Sequence, residues 1–178
     1  MKLSKLLLIV GTLTVYSSVT YSSQNYSGQQ HQEIKALSVQ EIDGYLNGKG
    51  MGFSRAAELN NFPGPRHTLD LASQLELTTL QVSTSEAVFK EMHNRAKELG
   101  NLYIENERKI EILFRKNGAT AKLEELVRES GKIQSEIRLV HLEAHIKQKE
   151  ILTEEQIKKY NKNRGYMGGH AHSHKHHH

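Results

Sequence analysis

The segment His141-Leu142-Glu143-Ala144-His145 places two imidazoles four residues apart. On a helix that spacing puts both rings on one face, one turn apart. Two such rings can together hold Zn²⁺, Ni²⁺, Co²⁺ or Cu²⁺. The same spacing also describes two solvated or stacked histidines beside an apolar seam, and both readings stand at this level. The segment is not a zinc-protease signature, because its Glu stands third rather than second. A second group follows at the C-terminus: His170, His172, His174, His176, His177 and His178, interrupted by Ala, Ser and Lys. Such a tract binds divalent metal loosely, by multivalency, and its interruptions suit a natural metal-scavenging tail better than a uniform tag. Neutral imidazole is the ligand, so binding by the tail is expected to weaken below about pH 6.

The elements that position these residues are bounded by composition. The chain has 178 residues, enough for about one domain, and 37% of them are apolar, below the usual 45–50% or so. A modest core of this kind gains from pairing with a second copy, so a homodimer is expected. Cys and Trp are absent and there are two Pro. That excludes a disulfide scaffold, a thiol enzyme and a cysteine zinc finger. Turn formers are too few for a β-sandwich. There is no nucleophile elbow either, and an enzyme is not expected. Lys and Arg number 24 against 20 Asp and Glu. They interleave along helices as a solvated face does, so no nucleic-acid partner is expected.

Residues 1–23 read as a secretory signal peptide. Met1-Lys2-Leu3-Ser4-Lys5 is a positive start, Leu6 to Val15 is an apolar run of about ten residues, and Ser17-Ser18-Val19-Thr20 supplies small residues. Cleavage is expected between Ser17 and Ser23, leaving an exported chain without a membrane span; the alternative is an uncleaved N-terminal anchor. A cysteine-free exported chain suits the bacterial periplasm.

Residues 24–65 are rich in Gly and Gln. Ser38, with Glu41 three residues on, predicts a capped short helix to Leu46. Gly48-Lys49-Gly50-Met51-Gly52 lacks phosphate-loop spacing and reads as a turn. Ser54 predicts a cap for a helix through Leu59, which Pro63-Gly64-Pro65 ends. His67 to Leu75 reads as one short helix. Ser85, Phe89, Met92, Ala96, Leu99, Tyr103, Asn106, Ile110 and Leu113 then follow steps of four and three, a helical seam with Asn106 as its polar interruption. Asn117-Gly118 breaks it, and Thr120 is a candidate cap for the next helix. Leu123, Leu126, Ser130, Ile133, Ile137, Val140 and Ala144 repeat the spacing. Two long helices about so short a break form an antiparallel hairpin, giving an all-α fold over residues 66–164. Thr153 caps a last helix to about Arg164, and the Gly/His-rich tail, 165–178, reads as disordered. Pairing about Gly118 sets His141 level with Arg95 and His145 with Glu91. His93 lies between those levels and is the candidate third ligand. Glu86, one heptad earlier, is the acidic candidate, and Arg95 would repel a cation if it faced the site.

Leu77-Thr78-Thr79-Leu80-Gln81 and Leu152-Thr153-Glu154-Glu155-Gln156 both fit L-T-x-x-Q. Each is a helix start in which Thr caps and Gln bonds back. Two copies bracketing a long helical hairpin make the chain resemble the Spy/CpxP family of periplasmic LTxxQ-motif proteins, in particular its heavy-metal-sensor branch. The likeness spans about His67 to Tyr166, and the stretch with Ala56-Ala57-Glu58-Leu59-Asn60 and Pro63-Gly64-Pro65 is similar to an N-terminal block of that branch. The resemblance implies a hooked, dimeric helical hairpin in periplasmic stress work. Such a protein either reports metal to a membrane-bound signalling partner or holds unfolded proteins without ATP. It also implies metal ligands at His141, His145 and His67; a further family ligand falls near Leu71, which cannot ligate. The chaperone alternative rests on a surface carrying Arg95, Lys97, Arg108 and Arg115, and a purely structural helical dimer is the third reading.

Overall fold

The computed structural model describes residues 26–118 and 121–167. The expected signal peptide (residues 1–23), Thr120 and the tail histidines His170, His172, His174, His176, His177 and His178 lie outside them. The described residues form six helices: α1 (Val39–Leu46), α2 (Arg55–Glu58), α3 (Pro65–Asp70), α4 (Thr79–Arg115), α5 (Ala121–Ile151) and α6 (Glu154–Asn163). The fold is all-helical, and no described helix is long and apolar enough to cross a membrane. Contacts divide the chain into units 1–30 and 31–178, and all six helices belong to the second.

Local chemistry explains the helix ends. Ser38, Thr78 and Thr153 each accept from the third backbone N–H of their helix, and Glu41, Gln81 and Gln156 bond back to the cap. α4 ends at Asn117, which takes the left-handed conformation at φ 50°. Gly118 N–H then donates to Leu113 and Asn117 N–H to Phe114, the paired bonds that satisfy a helix's last carbonyls. Two short elements differ from the sequence reading. Ser54 makes no capping bond, because its backbone (φ −100°, ψ 13°) is not the extended form that aims the hydroxyl at the helix. The helix expected from His67 to Leu75 instead runs Pro65–Asp70, with Pro65 pre-set in its first turn and Gly64 extended before it.

Along α4 and α5 the polar contacts join rising to falling numbers: Ser85 with Gln148, Glu91 with Lys147, Tyr103 with Gln134, Asn106 with Ser130. The two helices are therefore antiparallel. The polar interruption at Asn106 is fully used, since its Nδ2 donates to Leu126 O at 2.7 Å and Ser130 Oγ at 2.9 Å. Ser130 in turn donates to Glu107. The main core has three contributors. Ile34, Leu37 and Tyr45 from the N-terminal region pack with Leu99, Tyr103 and Ile104 of α4 and with Ile133 and Ile137 of α5. At its centre the Tyr45 and Tyr103 rings lie 4.4 Å apart, and Gln134 donates to both hydroxyls.

The two L-T-x-x-Q motifs meet at the other end. Gln81 Nε2 donates to Gln156 Oε1 at 2.8 Å, and Gln156 Nε2 returns the bond at 2.9 Å. Each amide also reaches a backbone carbonyl of a neighbouring segment, Gln81 to Ile151 and Gln156 to Leu75. Each glutamine thus caps its own helix and ties it to the other motif. Replacing either with Ala is expected to cost about 1–3 kcal/mol, because its partner is left half-buried and unpaired. Denaturant unfolding of Gln81→Ala, Gln156→Ala and the double variant should show coupling of about 1 kcal/mol; strictly additive losses would mean that the amides do not act as a pair.

Candidate metal-binding cavity

The loop after α1, the turn between α2 and α3, and one face each of α4 and α5 line a half-open cavity of about 620 Å³. His67 comes to it from α3, His93 from α4, and His141 and His145 from α5. Of the five described histidines, only His31 is elsewhere. Gly48 permits the closure: at φ 56° it brings the loop against α4, where a Cβ would lie 2.9 Å from the His93 carbonyl oxygen.

His141 and His145 are 3% and 6% exposed, so they are not solvated surface residues. The His141 ring lies nearly parallel to that of Phe53, 5.9 Å away, and its Nε2 is sealed from solvent with no hydrogen-bond partner. A buried polar atom left so is costly unless something else satisfies it. Burial, with His145 and His93 nearby, pushes the His141 pKa down to about 4. His145 is also lowered, chiefly by burial, against the opposing pull of the Phe62 carbonyl and Glu58. Desolvation therefore keeps both imidazoles neutral further into acid than a solvated histidine.

His145 has a fixed orientation. Its Nδ1 lies 2.7 Å from the Phe62 carbonyl, which only accepts, so Nδ1 carries the proton and Nε2 keeps its lone pair. Residue 64 is glycine against the Cε1–Nε2 edge of that ring. A Cβ there would lie 2.9 Å from His145 Cε1, 3.0 Å from its Nε2 and 3.3 Å from Glu58 Oε2. The imidazole and the carboxylate therefore pack directly against the glycine, with no room for a side chain there.

Glu58 is the acidic residue on the cavity. Its Oε1 accepts from Tyr160 at 2.6 Å, Tyr166 at 3.0 Å and Arg164 at 3.4 Å, and its Oε2 is 3.7 Å from His145 Nδ1. The buried Tyr160 hydroxyl also accepts from Gly64 N–H at 3.2 Å, so α6 holds both the carboxylate and the turn at Gly64. The carboxylate and burial together raise the Tyr160 pKa, keeping the hydroxyl a donor.

The remaining candidates divide. His93 stacks on Phe89 and borders the cavity. His67 does so too, half exposed and 3.6 Å from Asp70. Glu86 is exposed on α4 and does not line it. Arg95, the charge that threatened the site, turns away to Glu98, and Glu91 pairs with Lys147. Among the described residues no three His, Asp or Glu side chains stand close enough to enclose an ion. No protein-family model, curated protein or solved structure matches the chain.

Proposed function

We propose that this protein binds a divalent transition metal, Zn²⁺, Ni²⁺, Co²⁺ or Cu²⁺, through His145 and His141. His93, His67 and Glu58 border the same cavity. The observation that carries the reading is the buried pair on one face of α5, in which the Phe62 carbonyl fixes the proton of His145 on Nδ1 and leaves its Nε2 unprotonated. The partnerless Nε2 of His141, one turn away, fits a second donor. The ligand chemistry is imidazole, which suits borderline divalent ions such as Zn²⁺, Ni²⁺ and Cu²⁺. In this reading the chain is an exported, dimeric hairpin of the LTxxQ type, working in the periplasm in metal sensing or resistance and reporting to a membrane-bound partner. The His-rich tail adds loose capture.

Calorimetric titration of the full chain with Zn²⁺ and Ni²⁺ at pH 7.5 tests this. A stoichiometric event above the tail's weak binding should weaken at least a hundredfold in His141→Ala/His145→Ala. Gly64→Ala removes no donor but sets a Cβ about 2.9 Å from His145 Cε1 and so displaces the ring, and should weaken it at least tenfold. Identical isotherms for all three proteins would reduce the pair to packing residues.

A second reading, an ATP-independent chaperone, rests on large apolar side chains left exposed on the long helices, among them Leu102, Phe114, Val127 and Leu139. Its basic surface is partly neutralised, because Arg108 pairs with Glu33 and Arg115 with Glu111. Suppression of aggregation of an unfolded client with EDTA present would favour it.

A further inference from the structure

Away from the histidine pair, the cavity wall is cationic and apolar. Lys49, Arg55, Arg66 and Arg164 line it against one carboxylate, Glu58. Three of these cations are already paired: Lys49 with Asp43, Arg66 with Asp70 and Arg164 with Glu58. The Arg55 guanidinium makes no ion pair or hydrogen bond among the described residues. It nevertheless lies against the cavity's loop, because a Cβ on Gly52 would stand 3.4 Å from its Nη2. Gly52, at φ 81°, also lines the cavity and leaves that space to the arginine. His141 and His145 add no charge at neutral pH, since burial lowers both. One positive charge on the wall is therefore left over. The rest is largely apolar: Met51, Pro65, Phe89 and Met92 line it, and the Arg66 guanidinium lies over the Phe89 ring at 5.7 Å. At about 620 Å³ the cavity falls in the size range of small-molecule sites, roughly 300–1,000 Å³.

We propose that the cavity binds a small monocarboxylic acid with an apolar body, its carboxylate on Arg55 and its body against Met51, Phe89 and Met92. The proposal does not rest on the metal-binding reading, because it uses neither His141 nor His145 as a ligand. The charge decides the head group. One uncommitted guanidinium balances one negative charge, and its planar fork of donors suits a carboxylate bidentately. A phosphate ester carries nearly two charges and needs a second free cation, which the paired Lys49, Arg66 and Arg164 do not supply. The wall decides the body. Apolar surface beside the guanidinium gains from being covered, whereas a bare anion leaves it wet.

The test is calorimetry on the full chain at pH 7.5 with EDTA present, so that no metal bridges protein and ligand. The probes are phenylacetate and hexanoate, their neutral amides, acetate, and phenyl phosphate. At least one of the two acids should bind 1:1, at least tenfold more tightly than its amide and than acetate. Arg55→Gln should weaken that acid at least tenfold and leave its amide within twofold. Lys109→Gln, which removes an exposed charge of α4 outside the cavity, should change neither. Equal affinity for acid and amide would reduce the site to apolar packing, and unchanged binding in Arg55→Gln would place the acid elsewhere. Phenyl phosphate bound tenfold more tightly than phenylacetate would make this a phosphate site. Each of these results overturns the proposal, as does a lack of saturable binding by both acids. Because EDTA removes metal from every arm, all of them leave the metal-binding reading where it stands.

Discussion

Acidification with EDTA present is expected to destabilise the protein by about 3 kcal/mol between pH 7 and pH 4 through His141 alone. In the fold this imidazole titrates at about 4; in the unfolded chain it returns to about 6.5. Between those values the unfolded state binds more protons, so stability rises with pH across the window. Above about pH 6.5 both states are neutral and the contribution is complete. Below about pH 4 both are charged and it is gone. His145, lowered in the same direction, steepens the fall. Other groups titrate in the same range, so the informative quantity is a difference. Leu has nearly the volume of His and cannot charge, so His141→Leu should flatten the curve. It also removes the partnerless Nε2, and should match or exceed the wild type at pH 7.5. Urea unfolding at half-unit intervals measures both. Parallel curves for the two proteins would mean that His141 is not held neutral by the fold.

Gly100→Ala should be the costliest single-methyl change in the chain. Gly100 is buried on α4, and a Cβ there would lie 2.7 Å from the Tyr45 carbonyl carbon and closer still to its oxygen. That neighbour is backbone and cannot rotate away. It sits near the end of α1, whose Tyr45 belongs to the main core. Two effects compete. Alanine favours a helix interior over glycine by about 1 kcal/mol, while displacing packed backbone costs about 1–3 kcal/mol or more. The clash wins, because α1 must lift off α4 and take Tyr45 with it. Gly131→Ala is the control. Gly131 is exposed on α5 with nothing near its would-be Cβ, so only the propensity gain of about 0.5–1 kcal/mol remains. Melting curves should move in opposite directions, Gly100→Ala down by several degrees and Gly131→Ala up by about 2–4 °C. A rise in both would show that α1 does not press on Gly100.

What was legible in the sequence was whatever depends on neighbours a few residues apart. The Ser38, Thr78 and Thr153 caps, the break at Asn117-Gly118 and the buried seams through Ala96, Leu99, Ile133 and Ile137 follow from bonds and periodicities within a turn or two. The His141 and His145 spacing is local as well, and so is their shared face. Their burial is not local, because it comes from Phe53, Phe62 and Gly64, about eighty residues earlier. Glu58 carried no signal as a site residue. Its partners are Tyr160, Arg164 and Tyr166, and no spacing rule joins residues so far apart. Glu86 suited the heptad, but that register describes one helix and does not say where another segment packs against it. The Gln81–Gln156 clasp makes the same point. Each glutamine was readable as the far end of its own capping box. That the two boxes close on each other was decided only when the folded chain brought the starts of α4 and α6 together. Local hydrogen bonding and side-chain period determine elements, whereas the cavity, its charge and the pKa of its histidines arise from which distant surfaces exclude water from one another.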